Sequence, residues 1–398
     1  MGLEISVTAA SELHVHNIDT GLNYATIQEA INAPETVNGH TILVDAGRYI
    51  ENLLINKSLS IIGETMDTTI IDGRTGFPWV DLVIDVAANE VTLVRFTIYG
   101  SMPHCQGLGL KVTSDRNNIS NNLIVNHRKG IWLLGSQSNL VSRNTFDSND
   151  DEALWLAWSF RNTISGNTFS NGYCGILLED SRNNKIFHNN FINNTKHAIS
   201  RSPTNVNVWD DAHPSGGNYW GGYTHVDLDS DGIGDSPHTL SPLPTQEPPD
   251  NYPLMGMFSS FKATSDQSIQ TVCNSTISGF QFNGTAICFN VTAQDDTTGF
   301  CRVCIPKALM NNTYKVFVNG TEVSHTPLSC SNSTHRYLYF TYHHSTQEVV
   351  IIPEFPLFTL LQLFMIATLF FALTSRKARR VQDIVKKIQG KNSKGTCV

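Results

Sequence analysis

Three sets of side chains in this sequence have the types and spacing that chemistry needs. The most compact is Asp227-Leu228-Asp229-Ser230-Asp231-Gly232-Ile233-Gly234-Asp235. Its carboxylates stand at positions 1, 3, 5 and 9, with glycine at 6 and Ile233 at 7, where calcium loops offer a backbone carbonyl. Hard oxygen ligands on alternate residues converge on one cation, and glycine permits the sharp turn. Asp227, Asp229, Asp231, Ile233 and Asp235 are therefore the candidate ligands of a structural calcium ion. His238 stands at position 12 instead of the usual glutamate, so another part of the chain must help, and a solvated acidic turn is the alternative. The second set is Lys111, Trp132, Trp155 and Trp158, because indoles on a rigid surface pack against sugar rings. The third is acidic. Asp150, Asp151 and Glu152 precede Trp155, Glu179-Asp180 lie beyond it, and His127 and Lys129 come one repeat earlier. Paired carboxylates hydrolyse glycosidic bonds, and a carboxylate beside a base abstracts protons as lyases require. Asp151, Glu152, Glu179 and His127 are the candidate catalytic residues, against the plainer reading of ordinary turn acids.

These sets gain meaning from the repeats that position them. Asn117–Ile124, Asn139–Phe146, Asn162–Phe169 and Asn184–Phe191 align without gaps at offsets of 22, 23 and 22 residues. Each follows a short apolar strand: Gly109–Val112, Gly130–Leu133, Ala153–Leu156 and Gly175–Leu178. A unit this short cannot bury its own apolar residues, so it must stack on copies of itself, with equivalent residues about 4.8 Å apart. Alternation sends Leu110, Ile131, Leu154 and Ile176 inward, with Val112, Leu133, Leu156 and Leu178. It sends Lys111, Trp132, Trp155 and Leu177 outward in one column, unless a loop or the C-terminal domain covers them. Asn122, Asn144, Asn167 and Asn189 suit an internal amide ladder. The same alignment sets His127 beside Asp150 and Lys129 beside Glu152. A leucine-rich-repeat horseshoe is the rival solenoid, but its leucine spacing is absent. The expectation is an all-β chain: a right-handed parallel β-helix, then a small β-sandwich and a C-terminal transmembrane helix.

Thr26–Asn32 reads as a short helix covering the first coil's open edge, followed by strands near Thr41–Ala46, Gly47–Glu51, Leu59–Gly63 and Thr69–Gly73. This opening resembles that of pectin-lyase-like β-helices. The repeats resemble those of the NosD-type family of surface proteins. So do Trp209-Asp210, Gly216–Trp220, Asp227–Asp235 and Asn251–Leu254, which look like that family's closing segment. The resemblance covers roughly residues 20–256 and implies the fold far more than an activity. Copper enters through it, since some relatives act in copper-site maturation, yet the 14 histidines are scattered and no Met-rich or Cys-His cluster exists. Asp150-Asp151 resembles the paired aspartates of polygalacturonases, without that family's Gly-His-Gly and Arg-Ile-Lys elements.

Prolines 242, 244, 248, 249 and 253 mark a linker. Strands expected at Thr285–Val291, Tyr314–Val318, Tyr337–Tyr342 and Glu348–Ile352 suggest a small sandwich over 257–352, after a β-helix domain over 1–256. Five of the eight cysteines lie there, enough outside the cell for two disulfides and one free thiol, with the pairing open. Cys301 and Cys304 would point to opposite faces of a strand. Leu357–Thr374 is an 18-residue run without charge, roughly 27 Å as a helix, so 353–375 is the expected membrane anchor. A buried core helix is the alternative. Arg376–Val398 carries eight basic residues and one acid, leaving 19 basic and 34 acidic residues elsewhere. The positive-inside rule makes 376–398 a cytoplasmic tail and the acidic body external. That body lacks a face for nucleic acid. Nine Asn-X-Ser/Thr sequons, six of them between 274 and 332, agree with an external glycoprotein. No secretory leader is visible at Met1–Thr20, from which a missing start is expected. The expected function is a membrane-anchored surface protein that binds glycans or serves structure and adhesion. A surface polysaccharide lyase or glycoside hydrolase is the alternative.

Overall fold

The computed structural model describes residues 14–74, 82–100, 107–201, 206–240, 247–311 and 313–354. The expected anchor and basic tail fall outside these residues; among those described, no helix is long and apolar enough to cross a membrane.

The first part is the expected coil of short strands. Three sheets run its length with nine, eight and seven strands, and each coil gives one strand to each sheet. From Thr41 onward the neighbours in these sheets are parallel. The third sheet holds Leu53–Ile55, Leu82–Val86, Leu108–Val112, Lys129–Leu134, Glu152–Ala157, Cys174–Glu179 and Lys196–Ser200. Leu53–Ile55, which begins this sheet, carried no sequence expectation because three residues are too few to show a period.

Each corner is turned by one residue in the left-handed backbone region, and these recur in register: Asn121, Arg143, Gly166 and His188; Asn126, Ser148, Asn171 and Asn193. Polar and asparagine-rich corners tolerate that conformation at low cost. Between corners every second side chain turns inward. Phe146, Phe169, Phe191 and Trp220 stack along the axis with ring centroids 4.7, 5.1 and 4.4 Å apart. The helix Ile27–Asn32, capped by the Thr26 hydroxyl, closes the first coil with Ile27, Ala30 and Ile31.

Two asparagine ladders line the interior. In the first, the backbone N–H groups of Asn122, Asn144, Asn167 and Asn189 each donate to the side-chain oxygen of the next, ending on Asn218. Asn218 in turn donates to Asp250 at 2.7 Å. In the second, Asn117, Asn139, Asn162, Asn184 and Asn207 repeat the pattern and end on Glu247 at 3.0 Å. A carboxylate ends each column because it accepts without having to donate onward.

Residues 257–353 form two five-stranded antiparallel sheets around a second core. The sequence pointed to four of their ten strands. Ile233 and Leu254 of the closing segment pack with Phe258 and Val272 of this part, so the two cores meet. Asn190 on the last full coils exchanges two hydrogen bonds with the backbone of Phe258, and the Arg302 guanidinium donates to the Pro214 carbonyl.

Candidate functional site

The outward column of the third sheet forms in the expected register. Lys111 pairs with Trp132, Trp132 with Trp155, and Trp155 with Leu177. The indoles of Trp132 and Trp155 lie 4.7 Å apart and 8° from parallel. Because like residues sit directly above one another, each covers the face of the next. The Lys129 ammonium also lies 4.1 Å from the Trp155 ring centroid. Both indole N–H groups are shielded from water and lack an acceptor among the described residues. Leu177 is buried, and Lys111 lies 3.8 Å from Asp85 on the preceding coil. The expected open platform of indole faces is thus corrected: parallel stacking turns those faces along the axis and leaves ring edges outward.

Trp158 differs. It is 51% exposed and adopts φ of +48°, at a corner where the coils on either side place Gly135 and Asp180. Its N–H donates to the Glu179 carbonyl, as that of Gly135 does to Ala157. A bulky aromatic in the left-handed region costs about 1–2 kcal/mol that glycine would not. Trp158 is therefore a solvent-facing indole held at a position unfavourable to folding.

The acidic set divides. Asp151 and Glu152 lie beside Lys129, whose ammonium is 4.0 and 3.0 Å from their carboxylates, and the Arg128 guanidinium is 3.5 Å from Asp151. Arg128 was not foreseen, although it occupies the same corner one repeat earlier. Glu179 is elsewhere. Glu152 pairs with Cys174, five residues before Glu179 on the same strand, which sets the backbones of Glu152 and Glu179 roughly 16 Å apart along the sheet. The usual two-carboxylate glycosidases hold their carboxyl groups about 5–9.5 Å apart, a spacing this backbone separation does not favour.

His127 is corrected as well. It is fully buried, and its Nε2 lies 2.9 Å from the Ile98 carbonyl. Its backbone N–H donates to Asn149 Oδ1, as Asn122 donates to Asn144. The offset at this corner is 22 residues; 23 holds from Ile131–Leu154 to the end of that coil, at Asp147–Ser170. His127 thus aligns with Asn149 and fills a ladder position, with imidazole in place of an amide. Burial lowers its pKa to about 4, leaving it neutral and away from any surface reaction.

In the closing segment, Asp227, Asp229 and Asp231 bring one carboxylate oxygen each to within 4.8 Å of the others. Asp227 also accepts the N–H groups of Asp231 and Gly232, and Asp231 that of Ile233. Burial, opposed by these N–H donors, raises the Asp227 carboxyl. Asp235 is turned to the Leu228 N–H at 2.7 Å, and the Ile233 side chain is anchored in the core between the two parts. His238, at position 12, stacks on Trp220. The three aspartates offer only the hard oxygen ligands that suit a cation such as calcium, and the His213 imidazole stands beside them, its Nε2 3.3 Å from Asp231. The aspartates are the one such group of three among the described residues.

A cleft of about 550 Å³ opens between the coil and the second part, lined by Asn121, Arg143, Lys262, Asp266 and the stacked Phe261 and Phe280. It joins chain regions more than 100 residues apart, so no local pattern could announce it.

Residues 87–225 match the family described as "Periplasmic copper-binding protein (NosD)". A stretch of 91 residues is 35% identical to a cell surface glycoprotein of Methanothermus fervidus, covering 23% of this chain. The chain spans 14% of the length of that relative. Among solved structures, rice weevil pectin methyl esterase has a TM-score of 0.27 at 15% identity, covering 53% of this chain and 72% of that one. The phiAB6 tailspike, solved with oligosaccharides of Acinetobacter baumannii surface polysaccharide, has a TM-score of 0.25 at 10% identity, covering 82% of each chain.

Proposed function

We propose that this chain is a non-catalytic protein of the cell surface whose β-helix binds envelope glycans at the Trp158 edge of the third sheet. The likeness to a cell surface glycoprotein and to NosD repeats supports the location. The observation that carries the binding role is Trp158 itself, an exposed indole kept where glycine would fold better. The binding role is favoured over catalysis because Glu179 is remote from Asp151 and Glu152, and His127 is sealed in the core. Glu179 and Asp180 lie at the Trp158 end of the sheet, whereas Asp151, Arg128 and Lys129 lie at the far end of the strand, so a glycan bound at Trp158 would reach them only by running along the strand. The C-terminal run Leu357–Thr374 would hold the body at a membrane.

A glycan array followed by product analysis tests this. Binding lost in Trp158→Ala, with no product released by the parent protein, is the expected result. Turnover that disappears in Asp151→Asn would replace it with a lyase or hydrolase.

Calcium at Asp227, Asp229 and Asp231 would secure the end of the coil. Adding calcium to chelator-treated protein should raise the melting temperature by several degrees, and Asp229→Asn should abolish the shift. No shift in the parent protein rules the ion out.

A further inference from the structure

Four cysteines of the second part meet as two neighbouring pairs on opposite faces of one strand. That strand, Thr298–Pro306, is central in its sheet. Cys301 is the direct register partner of Cys273 on the adjacent antiparallel strand. Such partners have Cα atoms about 4.5–5.5 Å apart, within the range that a disulfide spans. Both thiols are buried in the same core, and the Tyr342 hydroxyl lies 3.1 Å from the Cys273 sulfur. Three residues on, Cys304 turns to the other face, into a small cluster with Leu328 and Tyr337 against which Cys330 packs. Cys288 sits in the opposite sheet, paired in register with Gln281 and Val350.

We propose that Cys273–Cys301 and Cys304–Cys330 are disulfides in the mature protein and that Cys288 remains a thiol. This rests on the external placement of the body. Each closure joins two sulfurs, releases two protons and passes two electrons to a disulfide oxidant, which leaves as two thiols. The bonds would pin one strand on both faces, and Arg302 of that same strand holds the Pro214 carbonyl of the coil's closing segment.

The test maps disulfides in the full chain, purified reduced and then equilibrated with oxidised glutathione. Free thiols are alkylated in denaturant, and linked peptides are identified by mass spectrometry. The expected result is the two named links with Cys288 alkylated, and a melting temperature that falls by roughly 10 °C on reduction. Cys301→Ser should lose the first link and keep the second. Cys330→Ser, at a less buried position, should do the reverse and guards against a misfolded first variant. A link to Cys288, exchanged partners, or four alkylated thiols overturns the pairing. Alkylation in intact cells separates the two premises: links that form with glutathione yet are absent there support the pairing and overturn the external placement.

Discussion

At the scale of single residues, Trp158 makes a demand that a structural residue would not. Replacing it with glycine removes a left-handed aromatic and keeps the corner's backbone hydrogen bond. Trp158→Gly should therefore raise stability by about 1 kcal/mol, measured by denaturant unfolding, while glycan binding disappears. A variant that loses stability as well would mean the indole packs on something and serves the fold. Trp158 was legible in the sequence as an exposed indole, but its backbone strain was not, since strain depends on where a corner falls. The column Lys111–Trp132–Trp155–Leu177 was read correctly because its register follows from repeat spacing alone. The concealment of its ring faces was missed, because spacing says which way a side chain points and nothing about what its copy covers. His127 shows the same limit. One inserted residue downstream changed its partner from Asp150 to Asn149, and with it a candidate base became part of the core.

At the scale of elements, the asparagine ladders hold successive coils in register from within. Asn144 Oδ1 accepts the N–H of Asn122, and its Nδ2 donates to Asn167 Oδ1 and to the Ile119 carbonyl. Asn144→Ala would leave several of these buried groups unpaired, each costing about 1–3 kcal/mol. A loss of roughly 3 kcal/mol is expected, with hydrogen exchange rising first in the coils on either side. The ladder was visible in the sequence because asparagine recurs at the same place in each repeat. Its two terminal carboxylates were not, because Glu247 and Asp250 follow the repeats and share none of their pattern. Most strands of the second part also escaped notice, since antiparallel strands of differing length leave no common spacing to detect.

At the scale of the whole molecule, buried titratable groups set the pH response. Burial lowers His127, His188 and His238 to about 4, so the stability they contribute is present above 6.5 and is lost as pH falls from 6.5 toward 4. Burial raises Asp250 to about 7 against the pull of its N–H donors, so its contribution is present below the ordinary carboxylate value and is lost as pH rises from about 4 to 7. Over the shared window the unfolded chain binds three more protons on the histidines and one fewer on the aspartate. The three histidines outweigh the aspartate, so stability is predicted to rise with pH between about pH 4 and 6.5 and to be greatest near pH 6.5. Thermal melts across pH 4–8 check this, and Asp250→Asn should steepen the rise. The six sequon asparagines between 274 and 332 are all exposed, so glycan mass released from the intact protein should map mainly to that part.

Both ladders run one way and finish on acceptors, and this makes the molecule a ruler with a fixed stop. Nothing in the middle coils knows how many others there are, because each meets only the one before and the one after. Duplicating residues 139–161 should yield a folded protein longer by one coil, about 4.8 Å, detectable by small-angle scattering. Extending it past Glu247 and Asp250 should fail, since a carboxylate offers no N–H to continue the line. Reach is thus adjustable by whole copies of one short segment while both ends stay the same. A body that stands out from a surface can in this way be lengthened without redesigning what it stands on or what it presents.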